Sequence, residues 1–239
     1  MFENFGQQLY DNLIGKGRFK LYLEGFGNTL FITAAAAIIG ILIGSAVAIA
    51  KVFSRNNTID HSKHSWIWKI INAICDIYIT IIRGTPSMVQ LMIFAFVIFS
   101  KLSMSYMIYV SALAFGINSG AYVAEIVRAG IQAVSKGQME AGRSLGLTNG
   151  MTMRMIIIPQ AIKNVLPALG NEAVTLLKET SIVGYISVSD ITYAASLVRS
   201  RTFSPIPLIF IALVYLCVVM LLSWLFGIME RRLAVGDKR

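Results

Sequence analysis

The sequence predicts an all-α integral membrane protein with five transmembrane helices and short helices on its cytoplasmic face. Of its 239 residues, 56% are hydrophobic and only 14% are charged, with a mean hydropathy of +0.69. A soluble domain carries roughly 25% charged residues, so this chain has too few to clothe a globular surface. Long apolar runs recur along it, and in two of them small residues return at every fourth position. The net charge of +9 fits Lys and Arg gathered in cytoplasmic loops. Nucleic acid is the poorer reading, because the basic residues are dispersed and no binding motif accompanies them.

The opening stretch, residues 1–25, has no apolar signal core and is expected to remain as an extracytoplasmic segment. Phe26 to Phe53 is the first spanning helix. Within it Ala36, Gly40, Gly44 and Ala48 put small side chains on one face, which lets a neighbouring helix approach closely in lipid. A polar loop follows with both histidines, His61 and His64. Neither HExxH nor a carboxylate cage accompanies them, so a surface loop is expected and no metal site.

Between Trp66 and Ile82, the residues Lys69, Asn72, Asp76, Thr80 and Arg83 form a polar helical stripe. The expectation is an amphipathic helix lying in the membrane interface, with a spanning helix as the alternative. Arg83-Gly84-Thr85-Pro86 breaks the pattern, and Pro86 is suited to open a helix. Pro86 to Lys101 has about the minimum length for a second span. Tyr106 to Ile126 is the third, with a second small-residue stripe at Ala112, Gly116, Gly120 and Ala124. Glu125 and Arg128 are spaced for a helical ion pair. Polar sequence then runs from Arg128 to about Val165. Leu166 to Val188 is the fourth span, Ser189 to Pro205 a polar excursion, and Ile206 to Met229 the fifth span before a tail at 230–239. Cys75 and Cys217 sit apart in apolar contexts and are expected to be packing residues.

The sides of the membrane follow from the loops. With five spans, loops 54–83 and 127–165 and the tail hold thirteen Lys or Arg, against six on the other side. The bias places the N-terminus outside and the C-terminus in the cytoplasm.

The central polar stretch, 137–160, then lies in the cytoplasm. It reads as two short helices around a corner. The first ends at Gly146, suited to a left-handed cap. Thr148 or Asn149 caps the second, which runs through Met151 to Ile157 and stops at Pro159. Such a unit is shaped to present a knob to a cytoplasmic partner, the plainer reading being a structured loop.

These residues resemble a known family. Permease subunits of binding-protein-dependent ATP-binding cassette importers carry a cytoplasmic signature: EAA, three residues, G, nine residues, I, one residue, LP. This chain has Glu140-Ala141-Gly142, Gly146, Ile156 and Ile158-Pro159 at those spacings, with Gly142 in place of alanine and Ile158 in place of leucine. Further blocks resemble the polar amino acid branch: Gly27-Asn28-Thr29-Leu30, Arg83-Gly84-Thr85-Pro86, Asn118 through Glu125, Arg128-Ala129-Gly130-Ile131 and Leu177-Lys178-Glu179-Thr180-Ser181.

The resemblance implies a type I importer permease: a transmembrane domain over 26–229 whose short cytoplasmic helices are coupling helices. They would seat Glu140, Ala141, Gly142, Gly146, Ile156 and Pro159 on a separate ATPase subunit, which binds ATP and magnesium. It further implies an extracytoplasmic amino-acid-binding protein and a second permease subunit, identical or homologous, in the cell membrane. No GxxxxGK[ST] loop occurs, so no nucleotide or other cofactor is expected in this chain and it is not expected to be an enzyme.

Four polar residues are candidates for a substrate path: Asn118, Glu172, Lys178 and Glu179. A charge at the bilayer centre costs at least about 2.5 kcal/mol, so each should face the bundle interior or water. The structural alternative is internal ion pairing. Glu172 and Glu179 favour a cationic amino acid. An ion-coupled secondary transporter is the rival function, and it would predict inverted repeats that are not visible here.

Overall fold

The computed structural model describes residues 2–59 and 65–235. His61, His64 and Lys63 of the polar loop, and Lys238 and Arg239 of the tail, on which sequence expectations fall, lie outside the described residues. Every regular element among the described residues is helical. In chain order the α-helices are α1 (Phe2–Leu13), α2 (Arg18–Ile59), α3 (Ser65–Gly84), α4 (Ser87–Ile93), α5 (Met107–Gln132), α6 (Lys136–Ser144), α7 (Asn149–Thr152), α8 (Ile158–Glu179), α9 (Ile191–Thr202) and α10 (Ile206–Val235), with short 3-10 and π-helical stretches between some of them.

By length and composition, three helical stretches can cross a membrane: Gly6–Val52, Met104–Gln132 and Ile206–Arg232. Two broken pairs, Trp66–Gly84 with Ser87–Ile98 and Asn149–Ile186 with Ile191–Thr202, bring the number to five if each pair is one span.

The chain divides into two compact units. One comprises Met1–Ile38, Thr85–Gly116 and Ala173–Leu221; the other comprises Ile39–Gly84, Ile117–Glu172 and Leu222–Arg239. In the first unit, Ile32, Leu91, Phe115, Leu176, Val183 and Ile186 form one apolar core, and Tyr22, Ile191, Ala194 and Val198 form another. Here the Asn28-Thr29 block acquires a role. Asn28 donates to the Ser189 carbonyl (2.8 Å), and the Ile191 amide donates to Thr29 Oγ1 (3.3 Å). A Cβ at Gly25 would lie 2.7 Å from the Asp190 carbonyl oxygen, so only glycine lets α2 run this close to that turn.

In the second unit the two small-residue stripes meet. A Cβ on Gly44 would lie 2.5 Å from Val123 Cβ and 2.7 Å from the Gly120 carbonyl oxygen. A Cβ on Gly120 would meet Tyr78 Oη at 2.7 Å, and that hydroxyl donates to the Ile117 carbonyl at 2.6 Å. Close helix approach in lipid rests on packing of this kind, since lipid tails remove any hydrophobic drive between helices.

The polar stripe of α3 is partly satisfied inside this unit. Asp76 pairs with Lys51 of α2 and accepts from Asn72 at 2.9 Å. Arg83 reaches Glu125 of α5 at 3.7 Å. Ile70, Ile74, Ile77 and Ile81 are exposed on a neighbouring face of α3.

Several boundaries differ from those read along the sequence. The first helix begins at Arg18, not Phe26, and runs to Ile59. The third continues past Ile126 to Gln132, because Arg128 bonds both Glu125 and Gln132 at helical spacing. Pro86 is the cap of α4 instead of its first residue, with extended ψ of 135°, the geometry proline favours at a break. The fourth span ends its α-helix at Glu179 and tightens into a 3-10 stretch, Thr180–Ile186.

The excursion after Ser189 is largely a helix. Asp190 caps α9, its fully buried carboxylate accepting from the Thr192 and Tyr193 amides at 3.1 and 2.8 Å. The Asp cap offsets orphan amides at the start of a helix too polar to stand out as a span. Of the two cysteines, Cys75 is buried and Cys217 is exposed on α10, so only the first is a packing residue within the described chain.

Candidate functional site: a capped two-helix knob

The polar stretch between α5 and α8 is built from its helix ends inward. Ser135 starts α6 by accepting from the Gly137 amide at 3.3 Å. Its far end is a Schellman closure: the Leu147 amide donates to the Gly142 carbonyl (3.1 Å) and the Gly146 amide to the Arg143 carbonyl (3.0 Å). Gly146 holds φ of +83°, the left-handed conformation that such a closure requires after the last helical residue. Two residues on, Thr148 caps α7, its hydroxyl accepting from the Met151 amide at 3.3 Å. Of the two candidate caps it is Thr148. Asn149 instead accepts from the Arg143 guanidinium at 2.6 Å, tying α6 to α7.

Gly142 makes room for a side chain of the second helix. A Cβ there would lie 2.5 Å from Thr152 Cγ2 and 2.8 Å from Thr152 Oγ1. Thr152 is fully buried and returns its hydroxyl to the Thr148 carbonyl at 3.0 Å. The bare glycine face of α6 is the seat into which Thr152 fits. Sequence reading passed over Thr152, since a lone threonine carries no local sign of a distant glycine opposite it.

Pro159 does not stop the second helix. Between α7 and α8 the chain makes a π-helical turn, Met153–Ile157, in which the Ile158 amide donates to the Met153 carbonyl. The widened turn shifts the bonding pattern one residue just before Pro159, whose missing donor and bulky ring would otherwise disrupt an α-helical turn. The knob is thereby joined to α8 by continuous helix, and through it to Glu172.

The residues matching the signature fall in distinct settings. Glu140 and Ala141 are exposed on α6, and no ion pair among the described residues engages Glu140. Gly142 is buried, Gly146 forms the corner, Ile156 is half-buried and Pro159 is exposed. Around them Leu145 (80% exposed), Met151 and Met155 present apolar side chains outward. A knob that exposes a carboxylate and apolar side chains together is suited to a groove with a basic residue and an apolar floor.

The polar residues within the spans separate between the units. In the second unit, Ser119 donates to Glu172 at 2.8 Å, and Asn118 is buried on the same helix as Ser119. Glu125 accepts from the Arg128 guanidinium at 2.6 and 3.0 Å, while Arg83 stacks over the Tyr122 ring at 5.4 Å. The expected Glu125–Arg128 pair is present, and Arg83 is a third member that spacing along one helix could not disclose. In the first unit, Lys178 is exposed and Glu179 half-buried.

Comparisons with known proteins agree with one another. The model of a family described as binding-protein-dependent transport system inner membrane component matches residues 66–235. The arginine transport system permease protein ArtQ of Bacillus subtilis is 36% identical over 217 residues, covering 90% of this chain and 93% of that protein. A putative glutamine transport system permease protein, GlnP of Rickettsia bellii, is also 36% identical, over 216 residues and the same shares. A solved structure titled as an amino acid ABC transporter with histidines superposes with a TM-score of 0.78 at 42% identity, covering 90% of this chain and 94% of its own. The inward-facing MetNI methionine transporter, at 17% identity and a TM-score of 0.73, shares the fold. A signature knob of matching spacing, a family match over most of the length and near full-length relatives together place this chain among the inner membrane permease components of binding-protein-dependent ABC importers.

Proposed function

We propose that this chain is the permease subunit of an importer for polar amino acids, with a preference for basic ones, driven by a separate ATPase. The observation that carries the reading is the knob. It is capped at both helices, cornered by Gly146 at positive φ, and leaves Glu140 without an ion partner among the described residues. A partner ATPase would accept Glu140 on a basic residue and the apolar side chains of Leu145 and Met151 in its groove. Movement of the groove would then reach the spans through the continuous helix from Asn149 to Ile186.

The layout proposed is an extracytoplasmic segment at 1–25, the permease domain over 26–229 and a cytoplasmic tail, with the N-terminus outside. ATP and magnesium belong to the ATPase, and a binding protein delivers the amino acid from outside. Five spans enclose too little space for a solute path alone, so a second permease, identical or homologous, completes it. Glu172, Asn118, Lys178 and Glu179 are the proposed contacts along the path. The arginine and glutamine named for the relatives fit a polar solute, and two carboxylates favour a cation.

The test is co-purification in detergent with the cell's amino acid importer ATPase, comparing wild type with Gly146→Val. Capture of the wild type with loss of capture by the folded variant supports the reading. Equal capture moves docking elsewhere, and no capture of either by any such ATPase overturns the function. Substrate preference is read from uptake: arginine and lysine should compete at least about tenfold better than neutral amino acids, a difference of 1.4 kcal/mol.

A further inference from the structure

In the second unit, α2, α5 and the π-helical turn Met153–Ile157 border an apolar cavity of about 300 Å³. Ile49 and Val52 line it from α2, Val127 and Ile131 from α5, and Met153 and Ile158 from the turn and the start of α8. Small-molecule sites begin at about this volume. A π-helical turn between two α-helices is itself a feature found frequently at functional sites.

The place of the cavity along the helices fixes its surroundings. The candidate spans Gly6–Val52 and Met104–Gln132 both end at this level, where the hydrocarbon of a bilayer gives way to its headgroups. Ile49 and Ile158 are 56% and 40% exposed, so the rim is apolar and open. Arg154 is the one charged residue among those lining the cavity. It is exposed, and no salt bridge among the described residues engages it. The cations next in sequence to lining residues are already paired, Lys51 with Asp76 and Arg128 with Glu125.

We propose that this cavity binds one anionic phospholipid of the membrane, with an acyl chain between α2 and α5 and the phosphate on Arg154. An apolar cavity with a single unpaired cation, at the depth where spans end, matches the two parts of such a lipid. A guanidinium takes two phosphate oxygens through parallel N–H bonds. Basic pockets between spanning helices hold anionic headgroups in this way. A zwitterionic lipid offers the same chain, but its ammonium offsets the phosphate charge. The bound lipid rests against the turn that joins the knob to α8. The site stands apart from the importer reading, since lipid surrounds the chain whatever solute it moves.

The experiment uses the full-length chain, purified in detergent with the subunits that accompany it, and reads lipid retention by native mass spectrometry. The probes are dioleoyl phosphatidylglycerol, dioleoyl phosphatidylcholine and dihexanoyl phosphatidylglycerol. Wild type should retain the long-chain anionic lipid about fivefold better than the zwitterionic one, the effect of one cation near an anionic headgroup. The short-chain lipid should be held at least about tenfold less well, because each buried methylene adds to retention. Arg154→Gln should abolish the headgroup preference and leave phosphatidylcholine retention unchanged. Ile49→Trp narrows the cavity at its rim and should lower retention of both long-chain lipids. Lys101→Gln removes a cation outside the cavity and should behave as wild type. All three substitutions replace exposed side chains, and unchanged melting temperatures check that each variant is folded. Equal retention of the two headgroups by wild type, a preference that survives Arg154→Gln, or retention unmoved by Ile49→Trp overturns the site. Full displacement of phosphatidylglycerol by excess inorganic phosphate assigns Arg154 to a free anion and also overturns it. Retention of neither long-chain lipid means that protein covers the cavity, which overturns it as well. None of these outcomes bears on the importer reading, which capture by the ATPase tests separately.

Discussion

Gly142 and Thr152 fit against each other so closely that a methyl group on the glycine would lie 2.5 Å from Thr152 Cγ2. The two short helices of the knob therefore share one contact that sets their spacing. Gly142→Ala should force them apart, at a cost of about 1–3 kcal/mol typical of overpacking. Thr152→Ser removes the nearer methyl while keeping the hydroxyl, which still lies 2.8 Å from the built position, so the double variant should recover part of the loss. Capture by the ATPase, measured for the singles and the double, checks this; equal behaviour of both Gly142 variants would show that the knob relaxes freely.

The glycine stripes provide a paired test. Gly44 admits no Cβ, with Val123 Cβ 2.5 Å from the built position, whereas Gly27 on the same helix has nothing within 4 Å. Gly44→Ala should lower the melting temperature of the detergent-solubilised protein. Gly27→Ala should leave it unchanged or raise it, since alanine is favoured over glycine in a helix by up to about 1 kcal/mol.

Glu125 is held by Arg128 at 2.6 Å and by Arg83 at 3.7 Å. Both arginine side chains are more than two-fifths exposed, so each pair is worth about 1 kcal/mol or less in stability. Arg83→Gln and Arg128→Gln should each be mild alone. Together they leave the carboxylate without either arginine, and the loss should exceed the sum of the two. Thermal melts of the four proteins in the cycle give the coupling directly.

Asp190 caps α9 through two backbone amides and is fully buried. Asp190→Ala should cost about 1–2 kcal/mol, with Asp190→Asn milder because its amide oxygen still accepts. Hydrogen exchange at the first turn of α9 should quicken in the alanine variant, while exchange in α6 stays unchanged.

The sequence by itself determined the features that reside in a few consecutive residues or in a single period. The scarcity of charge required a membrane protein. The four-residue stripes marked the faces on which Gly44 and Gly120 later proved packed against other helices. The knob's ends were readable because a left-handed glycine and a threonine cap act within three to five residues of themselves. The Glu125–Arg128 pair followed from helical spacing.

What only the tertiary structure decided depends on partners far away along the chain. Pro159 read as a stop because proline in an α-helical turn is one; the preceding π-helical turn, Met153–Ile157, carries the helix through it. The helix α9 was hidden in a polar segment because its stability comes from Asp190 and from burial of Ala194, Ala195 and Val198 against other segments, not from its own apolar length. Thr152 against Gly142 and Arg83 beside Glu125 are meetings of residues whose types are individually unremarkable. Hydrogen bonds and close packing are satisfied by whatever the fold brings within reach, and that reach is set by the whole chain.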